Sequence, residues 1–253
     1  MLAKPGSSLN AERALDILLF LGRCGPEGAS LARITEESGE SKAATHRSLQ
    51  ALCAKGFAEP AGRHGHYRLG PAVALLARAQ GRSLPDLERL RPGMTEFTRR
   101  TGYTTYLMIR AGQDAVCAEI ISRYDNRRTS LMGVGARVPM GIAAGSLALL
   151  SILPEAEMDR ILEANAERYA NYPSLHPVNV ELIRAQALQA RERGYAVNPG
   201  YFFVGEGGLG LPIRGAGAGD GDAAVSFNLP VEYMGQASIG ELIDQLRDCL
   251  RVV

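Results

Sequence analysis

The stretch Ser41-Lys42-Ala43-Ala44-Thr45-His46-Arg47-Ser48-Leu49-Gln50-Ala51-Leu52 decides how the first third of this chain is read. Ser41 has the short hydroxyl side chain that caps a helix N-terminus, and Gly56 supplies the stop. Between them, two stripes run at helix-face spacing. Thr45, Ser48, Leu49 and Leu52 can pack inward. Ala43, His46, Arg47 and Gln50 form the second stripe, almost wholly polar. A helix fits the major groove of duplex DNA, and its N-terminal residues reach base edges. Backbone N–H groups there also favour a phosphate. Ser41, Lys42, Ala43, Thr45, His46, Arg47 and Gln50 are therefore the candidate DNA contacts. The competing reading is a solvated face, which any surface helix has.

Upstream, Ala11, Ala14, Leu15, Leu18 and Leu21 make one apolar helical stripe, ended by Gly22, Gly25 and Pro26. Ser30 caps a short second helix that begins at Leu31 and stops near Gly39. Downstream, Phe57-Ala58-Glu59 and Tyr67-Arg68-Leu69 flank a Gly-rich loop and read as a β-hairpin. Arg63 and His64 in that loop can reach the DNA backbone or minor groove. Helix, short turn, helix, hairpin is the order of a winged helix-turn-helix. Charge agrees. Residues 1–79 hold 10 Lys/Arg against 7 Asp/Glu, whereas residues 80–253 hold 18 against 20. A mildly basic module is joined to a neutral one.

Residues 71–101 look helical in pieces, interrupted at Pro92-Gly93, and are expected to connect two domains. Beyond them, Thr104–Arg110 and Ala115–Ile121 are β-rich around the turn Gly112-Gln113-Asp114. Helices are expected near 141–152, 155–168 and 178–193, and a strand over 223–227. Ser238-Ile239-Gly240-Glu241 has the pattern of a capping box opening a tail helix. The division expected is 1–79, a winged helix-turn-helix; 80–101, a linker helix; and 102–253, a second domain.

The 253 residues are 46% hydrophobic and 22% charged, ordinary for a globular protein. No apolar run reaches the ~18 residues of a membrane helix, and the N-terminus has no apolar signal core. Four separated cysteines form no C-x-x-C pair and fit a reducing cytoplasm. Gly205-Glu-Gly-Gly-Leu-Gly210 matches G-x-G-x-x-G, but Pro212 and a long loop follow, so no helix can hold a pyrophosphate. His64 and His66 have no third metal ligand nearby in sequence, and Glu206 has no identifiable partner. Neither G-x-S-x-G nor H-E-x-x-H occurs. No catalytic residue, metal or cofactor is expected.

Residues 8–79 resemble the DNA-binding domain of the IclR family of bacterial transcriptional regulators. The resemblance is carried by Arg13-Ala-Leu-Asp-Ile-Leu18, by Lys42-Ala-Ala-Thr-His-Arg-Ser-Leu-Gln-Ala-Leu52 and by Gly65-His-Tyr-Arg-Leu-Gly70. In the second half, Arg137-Val-Pro-Met-Gly-Ile-Ala-Ala-Gly-Ser-Leu-Ala-Leu-Leu150 and Arg191-Glu-Arg-Gly-Tyr-Ala196 are similar to family blocks. The chain departs from the family at Ala44, where a hydroxyl residue is usual, and at Ser146-Leu147, where Gly-Lys is common. The resemblance implies an α+β protein of two domains: a winged helix-turn-helix, then a GAF/PAS-like α/β effector-binding domain with an antiparallel sheet. It implies a cytoplasmic regulator that binds double-stranded operator DNA as a homodimer or homotetramer, with no membrane partner. Leu84, Leu87 and Leu90 offer an apolar seam, although intrachain packing is equally allowed.

Carried over by position, the family's effector pocket falls on Arg127, Ser130, Val138, Ala144, Gly145, Asn198, Gly208, Ser226 and Asn228. Ser226 and Asn228 stand two apart on a strand, so both polar side chains share a face. Hydroxyl, amide and helix N–H groups suit a carboxylate, and Arg127 or Arg128 could add a bidentate clamp. The expected effector is a small organic acid, with an aromatic one suggested by Tyr103, Tyr106 and Phe202. The rival class is an enzyme whose DNA-binding domain is accessory.

Overall fold

The computed structural model describes residues 8–79, 87–123, 133–203, 205–214 and 222–251. The chain divides into two compact units, Met1–Gly81 and Arg82–Val253. Among the described residues no helix is long and apolar enough to cross a membrane.

The first unit runs α1 (Leu9–Arg23), β1 (Ala29–Ser30), α2 (Leu31–Ser38), α3 (Lys42–Ala54), β2 (Ala58–Pro60), β3 (His66–Leu69) and α4 (Pro71–Ala79). Its core is built from Ile17, Leu21, Ile34 and Leu49, which bury the facing stripes of three helices. Both serine caps form. Ser30 Oγ accepts from the Arg33 N–H, and Ser41 Oγ from the Ala44 N–H, each at 3.3 Å. Gly39 takes the left-handed conformation at φ 65°, so α2 can stop and α3 can start within three residues. The small sheet has the order β1-β3-β2, all antiparallel. β1 escapes the sequence reading because two residues carry no periodicity.

The second unit contains α5 (Leu87–Thr101), β4 (Thr105–Ala111), β5 (Asp114–Ile121), β6 (Arg137–Pro139), α6 (Ala144–Ser151), α7 (Glu155–Ala170), α8 (Val180–Arg193), β7 (Ala196–Phe203), β8 (Glu206–Ile213), β9 (Ala223–Pro230) and α9 (Gln236–Arg251). Six strands form one antiparallel sheet in the order β6-β5-β4-β9-β8-β7. One face packs Tyr106, Met108 and Cys117 against α6, α7 and α8. The other packs Leu107, Leu209 and Phe227 against α5 and α9, through Leu90, Met94, Phe97, Ile243 and Leu246.

Four expectations change here. First, residues 87–101 are not a separate linker. They are α5, whose buried Leu90, Met94 and Phe97 belong to the second unit's core. Leu90 is thus spent on intrachain packing, while Leu84 lies outside the described residues. Second, Pro92-Gly93 does not interrupt that helix. Pro92 removes one helical hydrogen bond, but burial on both sides outweighs the loss. Gly93 is required by packing, because a Cβ there would lie 2.5 Å from the Cys249 carbonyl oxygen of α9. Third, Ser238 is inside α9, which starts at Gln236, so the capping-box pattern does not mark the helix start. Fourth, the Gly-rich run 206–213, for which no element is expected, is a core strand, β8. Gly210 lies under α6, where a Cβ would meet the Ala144 carbonyl at 2.4 Å. The missing side chains let the helix backbone settle directly on the sheet.

The block Arg191–Ala196 also gains a physical reading. The Arg191 guanidinium donates to the carbonyls of Ser151 and Leu153, satisfying the C-terminal end of α6 and its exit loop. Gly194 then closes α8 in the left-handed conformation, φ 76°, and lets the chain turn into β7.

Candidate functional site

In the first unit, α3 presents Ser41, Lys42, Ala43, Arg47 and Gln50 to solvent, with His46 half-buried. Arg63 and His64 are exposed at the hairpin turn. The hairpin turn is thus polar and basic, and so is the face that α3 presents. Thr45 must be removed from it. Its side chain is 0% exposed, and its hydroxyl donates to the Ser41 carbonyl at 3.2 Å and lies 3.4 Å from Ser38 Oγ. Thr45 therefore locks the turn between α2 and α3. Ala44 is buried with it, and Ser48 is only half-buried, so the inward stripe is Ala44, Thr45, Leu49 and Leu52.

Arg13, which the sequence reading names only within a family block, supports this surface. Arg13 Nη2 of α1 meets Glu40 Oε1 at 2.7 Å, immediately before the cap of α3. Arg13 is mostly buried, so the pair pins the turn against α1 and partly cancels a carboxylate beside the polar face. The sequence signals were a lone arginine beside an apolar stripe and its place in the family block, and neither names Glu40 as its partner.

In the second unit, strand register assembles two rows on the face covered by α6. Asn198, Gly208 and Asn228 are cross-strand neighbours on β7, β8 and β9. Gly210, Ser226 and Tyr106 are neighbours on β8, β9 and β4. The first turn of α6 lies over both. A Cβ on Gly145 would stand 2.8 Å from Ser226 Oγ, and one on Gly208 would stand 3.0 Å from Ala144 Cβ and 3.3 Å from Asn228 Oδ1. Ala144, Gly145, Gly208, Ser226 and Asn228 are thus brought together. No side chain caps α6 from Ala143. The Ser146 hydroxyl instead accepts from the Ala143 N–H at 2.9 Å.

The other candidates divide. Asn198 is next to this group but is occupied structurally. Its Nδ2 donates to the Ile142 carbonyl at 3.0 Å, and its Oδ1 accepts from the N–H groups of Gly200 and Tyr201. Val138 is on β6, at the far edge of the sheet, buried in the same core face but not brought to Asn228. Arg127, Arg128 and Ser130 lie outside the described residues, as does the side chain of Phe202. Tyr103 is on the wrong face: its ring stacks on Phe227 at 5.8 Å, against α5 and α9. Tyr106 is on the right one.

Among the described residues, no three metal-ligating side chains converge. His66 Nδ1 lies 3.3 Å from the carbonyl of His64, a local contact within the hairpin. Burial pushes the Cys117 thiol up to about 12, so it stays protonated and is no nucleophile.

Comparisons with known proteins agree with this layout. Residues 10–62 match the model of the IclR helix-turn-helix domain, and residues 83–253 match the bacterial transcriptional regulator IclR C-terminal domain. The HTH-type transcriptional regulator XynR of Escherichia coli K12 is 29% identical over 194 residues, covering 75% of this chain and 73% of XynR. The probable transcriptional regulator SauR of Cupriavidus necator is 25% identical over 95% of this chain and 94% of its own. Among solved structures, an IclR regulator from Alicyclobacillus acidocaldarius superposes with a TM-score of 0.68 at 21% identity, covering 96% of each chain. An IclR homolog from Microbacterium hydrocarbonoxydans, complexed with 4-hydroxybenzoate, also gives 0.68, at 22% identity over 96% of this chain and all of its own. At these identities the structural likeness speaks for the fold.

Proposed function

The chain belongs to the IclR family of bacterial transcriptional regulators, and on that premise we propose that it binds operator DNA through α3 and releases or tightens that grip when an aromatic carboxylate occupies its second unit. Its family and its named relatives are regulators rather than enzymes.

The observation that carries the ligand reading is the meeting of Ala144, Gly145, Gly208, Ser226 and Asn228 under an uncapped helix start. The first N–H groups of α6 have no intrahelical acceptor. A carboxylate placed there gains those donors and the favourable end of the helix dipole, worth roughly 0.3–1 kcal/mol when exposed and more when desolvated. Asn228 is the half-buried polar side chain beside them, with its amide able to donate as well. Tyr106, aligned with Ser226 on the same face, offers an aromatic wall. The 4-hydroxybenzoate held by the Microbacterium homolog is an acid of this kind.

For DNA, Lys42, His46 and Gln50 take the base-proximal face, Arg47 anchors a phosphate beside them, and Ser41, Ala43, Arg63 and His64 take the backbone. A two-fold dimer supplies two such helices. Exposed Leu15 and Leu19 on α1 and Leu75 and Leu76 on α4 are apolar side chains that a partner protomer would cover. Ligand and DNA are coupled if the ligand prefers one arrangement of the paired domains, and a few kcal/mol of preference suffices.

The test is fluorescence anisotropy on duplexes that the protein selects from a random pool. Arg47→Ala should weaken binding and flatten the log K against log salt slope by about one. 4-Hydroxybenzoate should shift the wild-type midpoint. Failure to select any sequence, or an unchanged slope in Arg47→Ala, contradicts the DNA assignment.

A further inference from the structure

The second unit has a cleft on the sheet face opposite the proposed carboxylate site. Its volume is about 340 Å³, within the range that holds a small organic molecule. It lies where the first turn of α5, the last turn of α9 and the end of β8 meet. Three arginines line it: Arg89 from α5, and Arg247 and Arg251 from α9. Its floor is apolar, made by residues such as Leu211, Pro212 and Leu250.

The charge has a definite sign. No carboxylate lines the cleft among the described residues. Asp244 pairs with Arg247 at 3.0 Å, but through one guanidinium nitrogen, Nη1, and on the exposed side of α9. The Nη2 of Arg247 faces Gly194, 3.4 Å from where a Cβ would be. A side chain at position 194 would crowd that nitrogen. The start of α5 and the end of α9 bring opposed helix dipoles, which largely cancel, so the arginines set the potential. Guanidinium forks match tetrahedral and planar oxyanions through paired N–H donors.

The geometry points to a second ligand site, for a small dianion with an apolar body, such as an aryl phosphate. The guanidinium groups of Arg247 and Arg251 meet two negative charges, and the floor of leucine and proline removes a ring from water. A simple inorganic anion leaves the floor wet. A monocarboxylate such as benzoate uses only part of the charge.

Calorimetry on the full chain tests this with phenyl phosphate, inorganic phosphate and benzoate. Phenyl phosphate should bind once per chain and about tenfold or more tighter than inorganic phosphate. Arg247→Gln with Arg251→Gln should weaken it at least tenfold, and Arg251→Gln alone, in an exposed last turn, should weaken it measurably without a change in melting temperature. Asn228→Ala, at the other site, should leave it unchanged. No saturable binding by about 10 mM overturns the proposal. So does equal affinity in the double variant, or equal affinity for phenyl and inorganic phosphate. Binding that vanishes as protein concentration rises would show that a second copy of the chain covers the cleft, and would also overturn it.

Discussion

A Cβ on Gly210 would sit 2.4 Å from the carbonyl oxygen of Ala144, so strand β8 and the start of α6 touch backbone to backbone. Neighbouring glycines make the same fit with looser margins: Gly145 against Met108 Cγ at 2.5 Å and Gly208 against Ala144 Cβ at 3.0 Å. Gly210→Ala meets rigid backbone, Gly145→Ala meets a flexible methionine, and Gly208→Ala meets a tight methyl contact. The expected order of destabilisation is Gly210→Ala, then Gly145→Ala, then Gly208→Ala, with the first costing about 1–3 kcal/mol or more. Urea unfolding of the three variants checks it. A Gly210→Ala variant as stable as wild type would refute the packing.

Asn165, 0% exposed, joins α7 to the β4–β5 turn. Its Nδ2 donates to the Gln113 carbonyl at 2.9 Å, its Oδ1 accepts from Arg168 at 2.7 Å, and Arg168 bridges to Asp114 at 2.6 Å. Asn165→Leu removes two hydrogen bonds at a buried point, although the Gln113 carbonyl keeps the Met140 N–H and Arg168 keeps Asp114. The cost should be about 1–3 kcal/mol, or a melting temperature lower by several degrees in the second unit. Asp114→Asn, which keeps an acceptor at a more exposed point, should cost less.

Arg91 and Glu119 meet at 2.6 Å, with the arginine 62% and the glutamate only 10% exposed. Glu119 Oε2 has no hydrogen-bond partner among the described residues. Removing the arginine leaves a buried charge without compensation, whereas replacing the glutamate removes the problem. Arg91→Ala should therefore destabilise more than Glu119→Leu does, measured by thermal melts of both and of the double variant. The reverse order would contradict the burial.

Cys117 stays protonated in the fold up to about pH 12, against 9.0 unperturbed. Between those values the unfolded chain has lost a proton that the folded chain keeps. Stability must then fall as pH rises, at up to about 1.4 kcal/mol per pH unit for one such group. Tyr169, likewise raised by burial, adds to the slope at higher pH. Cys117→Val should flatten the decline above pH 9. The same burial should keep Cys117 from a thiol reagent at pH 8 until the protein unfolds, while half-buried Cys24 and Cys53 react first.

The sequence was most informative where local chemistry and burial agree. Ser30 and Ser41 cap helices in both reading and structure, and α3 buries Thr45, Leu49 and Leu52 of the stripe its spacing selects, whereas α1 buries Ile17, Phe20 and Leu21 and leaves Leu15 of its expected stripe exposed. It misled where tertiary packing overrides local preference. The glycines of β8 carry no strand signal, because their reason for existing, the backbone of α6, is more than sixty residues away in sequence. Pro92 looks like a break because the buried flanks of α5 are invisible locally. In the candidate site, period-two alternation placed Ser226 and Asn228 on one face correctly, and register adds Tyr106. Tyr103 was misplaced because it precedes β4, where no alternation fixes its side. Asn198 was read as a ligand group, yet three backbone partners take its amide, and no sequence pattern announces those.

The most direct test of the account is calorimetric titration of 4-hydroxybenzoate into wild type, Asn228→Ala and the Ser226→Ala/Asn228→Ala double variant, each confirmed as folded. The account predicts saturable binding to wild type, weakened about tenfold by Asn228→Ala and further by the double change. Binding of equal affinity in all three, or none to wild type by 4-hydroxybenzoate or by benzoate, would contradict it.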